Sequence, residues 1–174
     1  MDIHAAVQNL RSITTVATQQ QDYTIYMTAY LLEAMAYMKS TASDAVQNVQ
    51  SALAKAWSYQ TKVRNATQLI GLAHFIQVAC SIREGNPVGI RDNLQKMQTM
   101  MDATIRDGSW STTSDTLAIP INRTANSSTI VSSDTRMVLG IGEDGRDNLM
   151  LSFLNQRDAY SVKCVCSECF SESR

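Results

Sequence analysis

Residues 43–83 read SDAVQNVQSALAKAWSYQTKVRNATQLIGLAHFIQVACSIR, a stretch with no proline and a single glycine, Gly71. Apolar side chains recur at Val46, Val49, Leu53, Trp57, Val63, Ile70, Ala73, Ile76 and Cys80, in steps of three and four broken by two longer gaps. That is the period of one face of an α-helix. Ser43 offers a capping oxygen, and Asp44 puts negative charge at the positive end of the helix dipole. Gly85-Asn86-Pro87 supplies the stop, because glycine accepts the left-handed geometry and proline cannot continue the turn. The pattern predicts one long central helix from Ser43 to Arg83, about 60 Å at 1.5 Å per residue. Any bend should fall at Gly71, where glycine costs about 1 kcal/mol relative to alanine.

Upstream, Ile3, Val7, Leu10, Ile13 and Ala17 share one face of a segment running from Asp2 to Gln20. Its other face is polar and nearly uncharged. Tyr23 to Lys39 is the most apolar segment, interrupted only by Glu33, and a helix apolar all round belongs in the interior. Downstream, Ile90, Leu94, Met97, Met101 and Ile105 mark a further helix that ends at Gly108. Four helices joined by short turns predict an antiparallel bundle over residues 1–108.

Composition changes at Ser109. Residues 109–160 read as a Ser/Thr-rich linker and a small antiparallel β element, with strand-like runs at Leu117 to Ile121, Thr129 to Ser132, Arg136 to Ile141 and Asn148 to Leu154. Residues 161–174 read as a flexible, cysteine-containing tail. The expected class is therefore α+β, predominantly α: a helical bundle with a long central helix, followed by the β element.

At 44% hydrophobic residues, the 174-residue chain can bury a substantial core. A net charge of −1, with no run of lysine or arginine, excludes binding nucleic acid by charge neutralisation alone. Met1-Asp2-Ile3-His4 lacks the basic start of a secretory signal, and no apolar run is long enough to span a membrane. The expected setting is the cytoplasm or another reducing compartment.

Two motifs carry chemistry by letter. Gly140-Ile141-Gly142-Glu143-Asp144-Gly145 is G-x-G-x-x-G after Met137-Val138-Leu139, and in a dinucleotide fold it would open a helix over residues 146–157. Two carboxylates in the phosphate loop oppose that use, and a hairpin turn from Gly140 to Gly145 explains the same letters. Cys164, Cys166 and Cys169 form C-x-C-x-x-C, three soft ligands of the kind Zn²⁺ and Cu(I) take, with no fourth ligand at a metal spacing. Cys80 and His74 lie six residues apart, about 600° around one helix, so they do not form a nucleophile and base pair. No catalytic residue, cofactor or metal is assigned.

Residues 1–40 carry only Asp2, Arg11, Asp22, Glu33 and Lys39 as charged side chains, where average composition would give about ten. Wide apolar stripes with few charges point to a non-enzymatic structural or assembly protein. It would self-associate, as a coat, filament, virion or apparatus subunit or an adaptor, or bind other protein subunits. The interface candidates are Tyr26, Tyr30, Met35, Tyr37 and Met38. The alternative is a small ligand-binding protein, using Gly140 to Gly145 for a nucleotide or the C-terminal cysteines for a metal.

Overall fold

The computed structural model describes residues 2–63, 67–110, 116–120, 139–141, 147–152, 157, 159–161 and 164. Five helices follow in order: α1 (Ile3–Gln19), α2 (Tyr23–Met38), α3 (Ala45–Trp57), α4 (Thr67–Arg83) and α5 (Pro87–Asp107). Three of the starts carry a side-chain cap, while Asp44 at the start of α3 makes no capping hydrogen bond. Asp2 Oδ1 accepts from the backbone N–H of His4 and Ala5 at 3.0 and 3.2 Å, and Asp22 Oδ1 from Ile25 at 3.1 Å. Asn86 Oδ1 accepts from Gly89 N at 2.9 Å, with Pro87 in the first turn, where its missing N–H costs nothing. Gly108, at φ 67°, closes α5.

The long central helix is not there. Residues 43–83 break into α3 and α4; among the described residues between them lie a 3-10 turn at Gln60–Lys62 and extended backbone at Val63. The two longer gaps in the apolar spacing were the trace of this break. At about 100° per residue, a straight helix would carry Leu69, Ala73 and Ile76 some 140–200° around the axis from Leu53. The break lets both stripes face one core. Ser58 helps to end α3 by donating its hydroxyl to the Lys55 carbonyl at 2.6 Å.

That core joins three helices: Met27, Leu31 and Ala34 of α2, Val49, Ala52, Leu53 and Ala56 of α3, and Leu69, Ala73, Ile76 and Cys80 of α4. Arg83 ties α4 to α2, its guanidinium donating to the Met38 and Ser40 carbonyls at 3.1 and 2.6 Å. A positive group there suits the negative end of the α2 dipole. Helix α1 packs on α2 through an ion pair. Arg11 Nε and Nη2 donate to Glu33 Oε1 at 3.1 and 2.9 Å, and the Glu33 side chain is 3% exposed. This contact sets the rotation of α1, burying Thr14 beside Val7 and Ala17 and leaving Ile13, expected inward, 46% exposed.

A second cluster gathers Met97 and Met101 of α5 with Trp110 and Ala159, and Phe75 of α4 lies against it. Gly71 makes the close approach possible. A Cβ there would lie 2.6 Å from Trp110 Cη2 and 2.9 Å from Cζ3. The glycine expected to bend a helix is instead the seat of an indole. Residues 157, 159–161 and 164 are helical, and the Tyr160 hydroxyl donates to Asp102 Oδ1 at 2.9 Å. Tyr160 is thus docked on α5, so a truncation from Tyr160 onward would remove packed structure.

The α+β class is corrected to α. The body these helices form is 81% helical and holds no strand. Beyond it lie three short extended segments: β1 (Thr116–Pro120), β2 (Leu139–Ile141) and β3 (Asp147–Ser152). They hydrogen-bond antiparallel in the order β1-β3-β2, a small sheet that does not set the class. The run Thr129 to Ser132 lies outside the described residues.

Candidate protein-binding groove

A cleft of about 430 Å³ lies between α3, α4 and the start of α5. Helix α3 supplies Gln50, Leu53, Ala54 and Trp57, α4 supplies Gln77, Cys80 and Ser81, and Glu84 follows from the turn after α4. Asn86, Gly89 and Asn93 close it from the α4–α5 turn and α5. The lining alternates an apolar floor with amide groups. Gln50 Nε2 donates to Glu84 Oε1 at 2.6 Å across the mouth, and Asn93 Nδ2 donates to Ser81 Oγ at 3.2 Å. Gly89 allows the close approach of α4 and α5, since a Cβ there would meet Asn86 Nδ2 at 2.8 Å and Ser81 Oγ at 3.0 Å.

Two groups here are shifted toward their neutral forms, while Glu84 brings a carboxylate to the mouth. Burial pushes the Cys80 thiol up, Glu84 adds to the rise, and Arg83 opposes it, so the sulfur is a small apolar surface and not a thiolate. Burial also lowers His74 below the ordinary imidazole range. A hydrogen bond with Gln77 works against that, and the positive charge of Lys96 works with it. The His74 ring lies 5.1 Å from that of Trp57, and both His74 Nδ1 and Trp57 Nε1 are buried without a hydrogen-bond partner. The groove offers shape, apolar area, amide and hydroxyl groups and one carboxylate, which suits recognition of a chain segment.

The residues singled out from sequence separate. Tyr26 is buried and packs edge-on against Tyr30, centroids 4.8 Å apart. Tyr30, Tyr37 and Met38 are partly buried against the first core. Tyr37 accepts from Arg11 Nη2 at 3.3 Å, while Met35 is 39% exposed. Cys164 is exposed, and Cys166 and Cys169 lie outside the described residues. Among the described residues no group of three or more His, Cys, Asp or Glu could hold a metal ion. Gly140 pairs with Asn148 in β2–β3, and the extended backbone of β3 stands where the nucleotide reading needs a helix. The stretch from Gly142 to Arg146 lies outside the described residues.

The groove amides were missed. Gln50, Gln77 and Asn93 each sit one turn or one step from an apolar stripe residue, at Leu53, Ile76 and Leu94. An amide at the margin of three successive stripes was the available signal.

The site is thus a groove, lined by apolar and polar side chains, on the flank of a helical body. The chain belongs to the cohesin loading factor family, whose family model matches residues 1–162. No curated protein and no solved structure matches the chain. Membership supports a protein-interaction and assembly role with protein partners; a coat, filament or virion subunit finds no support in it. No helix among the described residues is long and apolar enough to cross a membrane.

Proposed function

We propose that this chain is a non-catalytic protein-binding module acting in the loading of cohesin, and that the α3–α4–α5 groove takes an extended segment of a partner protein. The observation that carries the reading is the family match over residues 1–162. The lining supports the groove as the place. An extended peptide arrives with unpaired N–H and C=O groups, and amides such as Gln50, Gln77 and Asn93 can donate to one and accept from the other. Leu53, Ala54, Trp57 and Cys80 offer the apolar strip on which alternate side chains rest. The reading puts the protein at chromatin, in place of the cytoplasmic setting expected from sequence, because cohesin is loaded there.

Cells depleted of the protein and rescued with the parent or with Ala54→Arg test both parts. Ala54 is exposed on α3, so arginine fills the groove without entering the core. Depletion should lower chromatin-bound cohesin, the parent should restore it, and Ala54→Arg should fail to. Unchanged cohesin on depletion removes the function; full rescue by Ala54→Arg removes the groove.

A homo-oligomer is a second reading, favoured by Met35, the one residue of the five interface candidates left exposed. Light scattering over a concentration series decides it, with a constant monomer mass as the outcome against it.

A further inference from the structure

Opposite the groove, α3 carries a different surface. By the 100° step of the helix, Lys55 points about 150° away from the mean direction of Gln50, Leu53, Ala54 and Trp57. There four tyrosines form a continuous row. Tyr30 meets Tyr26 at 4.8 Å between centroids, Tyr26 meets Tyr59 at 4.9 Å, and Tyr59 stacks on Tyr23 at 4.9 Å. Lysines stand at both ends. Lys55 Nζ lies 5.4 Å from the Tyr30 ring, and Lys62 Nζ lies 4.8 Å from Tyr23 and 5.3 Å from Tyr59.

Both lysines are exposed, and neither is in an ion pair among the described residues, where the salt bridge found is Arg11–Glu33. Asp22, next to Tyr23 in sequence, is engaged in capping α2. Tyr26 forms the floor, while Tyr23, Tyr30 and Tyr59 are partly exposed. Tyrosine offers large contact area with a polar rim at little cost in side-chain freedom, which is why it is enriched at interface hot spots. Positive charge at each end of such a row selects an occupant with negative charge at a matching separation.

We propose that the Lys55–Tyr30–Tyr26–Tyr59–Tyr23–Lys62 surface is a second docking site, for an acidic segment of a protein partner. An extended segment covers the row with about four or five residues at roughly 3.3 Å each, placing one carboxylate over each lysine. Two ammonium groups on a chain of net charge −1 are too few for duplex DNA, where affinity is built from many neutralised phosphates. The site is independent of the groove, since it uses the other flank of α3.

Fluorescence anisotropy of the full chain with a labelled peptide, Glu-Asp-Leu-Phe-Ser-Glu-Asp between glycines, tests it. Lys55→Glu and Lys62→Glu should each weaken binding by about fivefold or more, since each swaps an attraction for a repulsion at a partly desolvated site. Lys39→Glu, at the other end of α2, should leave it unchanged, and all three variants should melt with the parent. No saturable binding up to about 1 mM overturns the proposal. So does equal weakening by all three reversals, which would mark an unspecific charge effect. Binding of a 20-base-pair duplex at least as tight as that of the peptide, with the same dependence on Lys55 and Lys62, also overturns it.

Discussion

The two clusters of buried side chains are built in opposite ways. The first takes its members from α2, α3 and α4, each contributing a stripe at helical spacing. The second takes Met97 and Met101 from α5, then reaches to Trp110 and Ala159, residues far apart in sequence and outside any long periodic pattern. Periodicity assembles the first. A single permissive position, Gly71, admits the second, because an indole cannot lie on a helix that presents a Cβ at 2.6 Å. The molecule also carries one tryptophan for each: Trp57 packs against the first cluster and Trp110 lies within the second. Their fluorescence reports the two separately.

The largest effects should come from charge in the clusters themselves. Leu53→Asp should unfold the body, since an apolar side chain 4% exposed is replaced by an unpaired carboxylate, a loss of about 4 kcal/mol or more. Met101→Asp strikes the second cluster instead. It should expose Trp110 to quenchers and free the amides of α5 to hydrogen exchange while α2 and α3 stay protected. If Met101→Asp abolished protection in α2 and α3 as well, the two clusters would be one cooperative unit and the comparison would fail.

A smaller and sharper effect is expected at the seat of the indole. Gly71→Ala gains about 1 kcal/mol of helix propensity but forces a buried ring to move, an overpacking cost of about 1–3 kcal/mol. The net should be destabilising, with Tm falling by about 2–4 °C for each kcal/mol at this chain length. In a Trp110→Leu background the same substitution should become neutral or stabilising, because the clash is gone and the propensity gain remains. A double-mutant cycle with no coupling between the two sites would separate Gly71 from Trp110.

This contrast also marks what the sequence could show. The α3 and α4 part of the first core is legible because Leu53, Ala73 and Ile76 fall on stripes, with the gap from Trp57 to Val63 marking the break. A segment apolar all round, by contrast, gives no sign that Met27, Leu31 and Ala34 face the core. Ile70 packs partly buried against the first core beside fully buried Leu69, while Ile105, expected inward, is exposed where Thr104 is buried, a slip of one residue about the axis. Trp110, in a run of serines and threonines, gave no local sign of burial. Nor did the role of Gly71, since a glycine within a helix signals a bend and a close approach alike. The groove was hidden for a different reason. Gln50, Gln77 and Asn93 look like ordinary solvent-facing amides until three helices bring them together.

The smallest predicted effect lies at the seam between the clusters. His74 packs beside Trp57 on one side and feels Lys96 of α5 on the other. Its pKa is lowered in the folded protein, chiefly by burial, so the unfolded chain binds the proton more readily. Stability contributed this way is fully present above the ordinary histidine value of about 6.5. It is lost as the pH falls below that value and through the lower folded one, where the imidazole must either charge in place or leave its site. His74→Gln removes the titration and keeps a polar side chain able to meet Gln77. Between about pH 7.5 and pH 5, the parent should therefore lose more Tm than the variant, with the difference opening below the ordinary histidine value. Moving the Lys96 charge closer would widen it; Lys96→Gln should narrow it, because the nearby positive charge is one cause of the depression. Parallel melting profiles for the parent and His74→Gln across that range would show that the histidine titrates as it does in the unfolded chain, and that the seam is open to water.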